Sequence, residues 1–176
     1  MGENTVLDSL VDENVELLRS GVAVITSAPA ELYRDGHDRI ASGGVGRHFR
    51  HVIEFYECLL NAEHDRIDYQ ARRRDPRVER DAGYAAEAAQ RAIHRLHALR
   101  SAPVDRACAV VSEVQDSSGA PITVRSSLGR ELAVLASHTI HHYAIVAMLL
   151  RQGGVEVPQD FGVAPSTLRY LASSEA

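Results

Sequence analysis

No lysine and no tryptophan occur among the 176 residues, and all 19 basic side chains are arginine. That removes Schiff-base chemistry on lysine, a phosphate-loop lysine and a lysine general base in one step. Cysteine is nearly absent, with Cys58 and Cys108 alone and no CxxC pair. Neither a disulfide framework nor a thiolate zinc ribbon can be built from them, and a reducing cytoplasm is the expected compartment. Basic charge is also short, since 24 acidic residues leave a net charge of -5. No chain-wide electrostatic case for nucleic acid or an anionic membrane surface follows. Long apolar runs are missing too: Tyr143 to Leu150 is the longest. It falls short of the roughly 18 residues of a membrane span, so no membrane partner is expected. The first ten residues have no basic flank or apolar run, and so do not read as a secretory or transit segment.

What remains, at 45% apolar content, is enough to bury one core, and one domain over residues 1–176 is the expectation. Residues 5–27 place Val6, Leu10, Leu17 and Val24 at helical spacing, and Pro29 follows. A polar, glycine-containing stretch leads to a second helix over about 45–64. Its stripe is Val45, Val52, Phe55 and Leu59, with Glu54 and Glu57 off it. The connection over 66–80 holds six arginines and reads as a solvated excursion. Ala-rich residues 81–100 predict a third helix. Residues 108–115 and 121–127 are β-branched and separated by a turn sequence, which predicts a hairpin. Ser127 is a natural N-cap for a fourth helix ending at Gly153-Gly154, and the tail reads as loop. The fold expected is all-α: an up-down-up-down four-helix bundle with a small β-hairpin inserted before the last helix.

Histidine is the residue in excess: nine, at 37, 48, 51, 64, 94, 97, 138, 141 and 142. His138 and His142 are four apart on the fourth helix, on one stripe with Leu128, Leu135, Ile145 and Leu149, so both point inward. Two imidazoles at this spacing can present nitrogens to one ion, and burying them unpartnered is costly. His48 and His51 flank the core-facing stripe of the second helix. Together these pieces allow three histidines around a divalent transition metal, with open positions for water or substrate. His141 points away from the stripe and reads as an exposed or auxiliary group, while His37, His64, His94 and His97 read as surface. Cys58 reads as a small core residue, and Glu131 as either a buried carboxylate near His138 or a surface ion-pair partner.

Other chemistries fail on spacing. No Glu is followed three residues later by His, as di-iron carboxylate bundles require, and neither HExxH nor GxSxG occurs.

The pairing of VGRHFRHV (45–52) with HTIHHYAIVAMLLRQGG (138–154) resembles the DinB-like, YfiT-like metalloenzymes, bacterial four-helix bundles with a three-histidine metal site, often dimeric. The resemblance implies His51, His138 and His142 as ligands. The stripe alone slightly prefers His48 to His51, so His48 stays open as the alternative or an auxiliary group. The resemblance further implies zinc or nickel, a homodimer, and a metal-dependent transferase or hydrolase acting on a low-molecular-weight thiol or an electrophile. The contrasting expectation is a non-catalytic structural or interaction protein with packed histidines.

Overall fold

The computed structural model describes residues 3–35 and 44–174. Among them are α1 (Glu3–Ser27), α2 (Ala30–Arg34), α3 (Gly46–Leu60), β1 (Arg66–Asp68), α4 (Pro76–Arg80), α5 (Ala82–Ala98), β2 (Ala107–Gln115), β3 (Pro121–Ser127), α6 (Leu128–Gln152) and α7 (Pro165–Ser174). His37 lies outside the described residues.

The all-α expectation is therefore corrected: seven helices accompany a three-stranded mixed sheet in the order β1-β2-β3. The hairpin forms where the β-branched segments predict it, antiparallel, with Ala107 opposite Ser127. A further strand, β1, adds to its other side in parallel, Ile67 opposite Val110. Three residues flanked by charges carry no readable alternation; pairing makes them a strand, and Ile67 is fully buried as a result. The arginine-rich connection is thus not simply a solvated excursion, since it contributes β1 and α4. Five-residue helices such as α2 and α4 are too short to show a period, and α7 stands in the tail that read as loop.

The four long helices close a ring in which α1 packs on α5 and α6, and α3 packs on the same two. Asp81 caps α5 by accepting the Tyr84 N–H at 3.0 Å, and Ser127 caps α6 as its sequence suggests. The buried stripe of α1 is Leu7, Val11, Val15, Leu18, Val24 and Ile25; of the residues expected on it Val24 is buried, Val6 is exposed, and Leu10 and Leu17 are half-buried. Glu54, expected outside, is buried at 2% exposure. By length and composition α6 also has what a membrane-crossing helix needs, contrary to expectation. Its Leu132, Leu135, Tyr143, Val146 and Leu150 are buried against neighbouring elements, as in a core helix.

Two contacts set where α3 begins. Gly46 lies so close to α4 that a Cβ there would stand 2.0 Å from the Glu79 carbonyl oxygen. The Tyr33 hydroxyl of α2 donates to the Val78 carbonyl at 2.8 Å, so two short helices brace the turn before His48 and His51. A buried network fixes α3 against α6. The Tyr56 hydroxyl donates to Asn14 Oδ1 (2.7 Å), the Thr139 hydroxyl donates to the Tyr56 oxygen (3.1 Å), and Asn14 Nδ2 donates to the Leu132 carbonyl (3.1 Å).

Candidate metal centre

His48 and His51 stand on the first two turns of α3, and His138 and His142 on successive turns of α6. The Tyr56–Thr139 contact puts these stretches side by side, and the imidazoles converge. Ring centroids are 5.0 Å apart for His51 and His138, 4.4 Å for His51 and His142, and 4.6 Å for His138 and His142. One ligand nitrogen from each of the three lies within 4.8 Å of the others. His48 is held differently: its Nδ1 is 3.0 Å from Nδ1 of His142. That contact engages one nitrogen of His142 and leaves Nε2 for an ion. Of the two candidates on α3, His51 joins the cluster and His48 contacts it through His142.

The residues fit a metal by a test internal to the structure. Nε2 of His138 is buried without any hydrogen-bond partner. A buried imidazole nitrogen left unpaired is costly, and a Lewis acid is the partner that would satisfy it. Burial also disfavours the charged form of all four imidazoles, the direction that metal binding requires. Burial foremost, then the charges of neighbouring histidines and of Arg72, pushes His51 down to about 4. Burial and the surrounding histidines push His142 down to about 3. His48 and His138 are lowered chiefly by burial.

Aromatic rings wall the cluster. Phe55, one turn after His51, lies 4.3 Å from the His138 ring and 4.7 Å from that of His51. Tyr69 stacks on Phe55 at 5.0 Å, and the Arg72 guanidinium carbon is 4.7 Å from the same ring. The Tyr69 hydroxyl donates to Glu131 at 2.9 Å, and Ser126 and Arg130 donate to the same carboxylate. Glu131 is buried and also forms an ion pair with the exposed Arg130, so each of its two expected roles is met in part, and it reaches His138 only through Tyr69 and Phe55. His141 is exposed and meets His142 edge-on at 5.3 Å. His64, His94 and His97 are exposed, as their sequence context suggests. Cys58 lies beyond Glu54 on the wall of a cavity of about 370 Å³, its thiol pushed up to about 11 by burial. It is no ligand.

Sequence reasoning left out Tyr69 and Arg72 and took Phe55 only for core. The spacing of Phe55 from His51, four residues, places both on one face and could have marked it. Tyr69 and Arg72 come from an irregular connection that carries no comparable signal.

Among known proteins, FK506-binding protein 5 of Rhizopus delemar is similar to this chain, with 30% identity over 105 residues. The match takes in 60% of this chain and 27% of that protein, so the chain spans about a quarter of the relative's length. No family model and no solved structure matches.

Proposed function

We propose that this protein holds a divalent transition metal, zinc or nickel, on His51, His138 and His142, and acts as a metal-dependent enzyme on a small-molecule thiol or its electrophilic partner. The observation that carries this reading is three imidazoles whose ligand nitrogens lie within 4.8 Å of one another while Nε2 of His138 is buried without a partner. The resemblance of the two histidine segments to the DinB-like metalloenzymes supports it from the sequence side.

A bound ion would supply a cationic open position that lowers the pKa of a coordinated thiol or water. The chain's own residues do the rest. His51 and His142 stay neutral well below pH 7 and so compete for metal without first losing a proton. His48 fixes the rotation of the His142 ring through their 3.0 Å contact. Phe55 and Tyr69 exclude water from one side of the cluster. Burial raises both cysteine thiols, which keeps them protonated and disfavours either as a thiolate nucleophile.

Elemental analysis of untagged protein, beside the His138→Ala/His142→Ala double variant of matching circular dichroism, tests the proposal. About one equivalent of transition metal in the parent and its loss in the variant are expected. Equal metal in both would overturn the assignment.

A second reading has its own observation. Val114, Ile122 and Val124 are exposed on the hairpin, as are Leu168, Tyr170 and Leu171 on α7. Such surfaces suit a non-catalytic interaction protein, as a homodimer or with another chain. That reading has the histidines packed rather than liganded.

A further inference from the structure

The chain beyond α6 is fastened back onto the bundle yet does not fill the space beneath it. Phe161 is buried, with its ring stacked on Tyr143 of α6 at 4.6 Å. Gly162, at φ +78°, lies so close to the same helix that a Cβ there would stand 2.3 Å from the Ala144 nitrogen, which is room for glycine alone. Arg151 donates to the Pro158 carbonyl at 3.0 Å. The turn closes through the Phe161 N–H on the Pro158 carbonyl (3.1 Å) and the Val163 N–H on the Asp160 carbonyl (3.0 Å). Held at these points, the segment stands off α1 and leaves a cavity of about 500 Å³ between them.

The lining has two characters. Leu17 and Ala23 of α1, with Pro158, Val163, Pro165 and Leu168 from the tail, make it largely apolar and within the size range of small-molecule sites. Its charged groups are all of one sign: Glu13, Glu16 and Asp160 line it, and no basic side chain does. Glu16 is paired with Arg19 at 2.5 Å. Glu13, half-buried on the wall, forms no hydrogen bond or ion pair among the described residues, and the exposed Asp160 side chain has no ion pair among them either. A neutral apolar guest would strip water from the Glu13 carboxylate without replacing it, and an anion would meet like charges. An apolar body that carries an ammonium group answers both: the body fills the void and its N–H donors serve the carboxylates.

We propose that this cavity binds a small organic ammonium ion, with Glu13 and Asp160 as its counter-charges. It shares no residue with the three-histidine cluster, so the inference stands independently of the metal reading.

The test titrates phenylbutylamine, phenylbutanol and phenylbutanoate, one apolar body with three end groups, into the isotope-labelled full chain at neutral pH. Binding is followed through the backbone amide resonances. The amine should bind about tenfold more tightly than the alcohol, and the acid most weakly. The shifted resonances should centre on residues 13–23 and 158–168. In Glu13→Gln/Asp160→Asn the amine and the alcohol should bind alike, with the affinity for the alcohol unchanged. Should that variant lose the parent's circular dichroism, Asp160→Asn alone, at an exposed position, should narrow the preference. No binding of the amine by the parent overturns the proposal, as does equal binding of amine and alcohol. A preference undiminished in the folded variant, or shifts centred on another surface, overturns it as well.

Discussion

His48 and His51 are one turn apart on α3, yet the structure gives them different work. His51 offers its nitrogen to the cluster, whereas His48 spends Nδ1 on His142. Removing a ligand should abolish stoichiometric binding; removing a group that orients a ligand typically costs about 10–100-fold in affinity. His48→Leu is therefore expected to weaken zinc binding by that factor while His51→Ala eliminates it, measured by competition against a chromophoric chelator. The reverse ranking would exchange the two roles. Glu54 makes a separate case at this scale. It accepts the Asp75 N–H at 2.7 Å, but its other oxygen is buried without a partner, and burial raises its pKa above the ordinary 4.5. A carboxyl whose folded pKa is raised contributes stability that is fully present below the unfolded pKa and is lost as pH rises through the folded one. At pH 7 the fold therefore carries a buried, partly uncompensated carboxylate. Glu54→Gln should raise the melting temperature at pH 7 and leave it unchanged or lower near pH 4. A lower melting temperature at pH 7 would contradict this account.

At the scale of the element, what matters is the register of α3 on α6. Apolar stripes bring two helices together but tolerate sliding by a turn; the Tyr56–Thr139 and Tyr56–Asn14 hydrogen bonds do not. Tyr56 and Thr139 are the immediate chain neighbours of Phe55 and His138, so the network sets the distance between the two histidine groups. Tyr56→Phe leaves the Asn14 carbonyl oxygen buried without its donor, at a cost of about 1–3 kcal/mol. Urea denaturation of the metal-free protein should show that loss with an unchanged m-value. Metal affinity should fall with it, because the imidazoles lose their fixed spacing. A variant as stable as the parent would mean that packing alone holds the register. The sequence displayed each long helix through its periodicity and its caps, Ser127 and the Gly153-Gly154 stop among them. It displayed the buried stripe of α1 only in part, Val24 among it, because valine and leucine occupy both candidate faces and only contact with α5 and α6 chooses between them.

For the whole molecule, a site assembled from α3 and α6 exists only in the folded chain, so a ligand for it is also a ligand for the fold. Zinc at about a thousand times its dissociation constant stabilises by about 4 kcal/mol. For a domain of this size that is roughly 8–16 °C in melting temperature. Scanning calorimetry with zinc and with excess chelator should show a shift of that order in the parent and none in the His138→Ala/His142→Ala variant. A melting temperature indifferent to chelator in the parent favours the interaction-protein reading, with the exposed hairpin and α7 as the surfaces to examine. The same scale holds the largest departure from expectation, the mixed sheet. β1 forms because β2 offers it a hydrogen-bonding edge, a circumstance that no property of Arg66, Ile67 and Asp68 announces. The parallel pairing draws the following segment back toward α3, so that Tyr69 and Arg72 arrive at the histidines.

By itself, then, the sequence determined the local quantities: the four long helices, the hairpin, the absence of lysine and of a CxxC pair, and two histidine pairs at spacings that share a helix face. These depend on residues within a few turns of one another, and periodicity or composition records them directly. Only the tertiary structure decided that His51 rather than His48 joins His138 and His142, that Glu54 is buried, and that Tyr69 and Arg72 stand over Phe55. Each of those depends on which surfaces meet across distances of tens of residues in the chain. That meeting is set by packing and by buried hydrogen bonds such as Tyr56 to Asn14, to which a local pattern is blind.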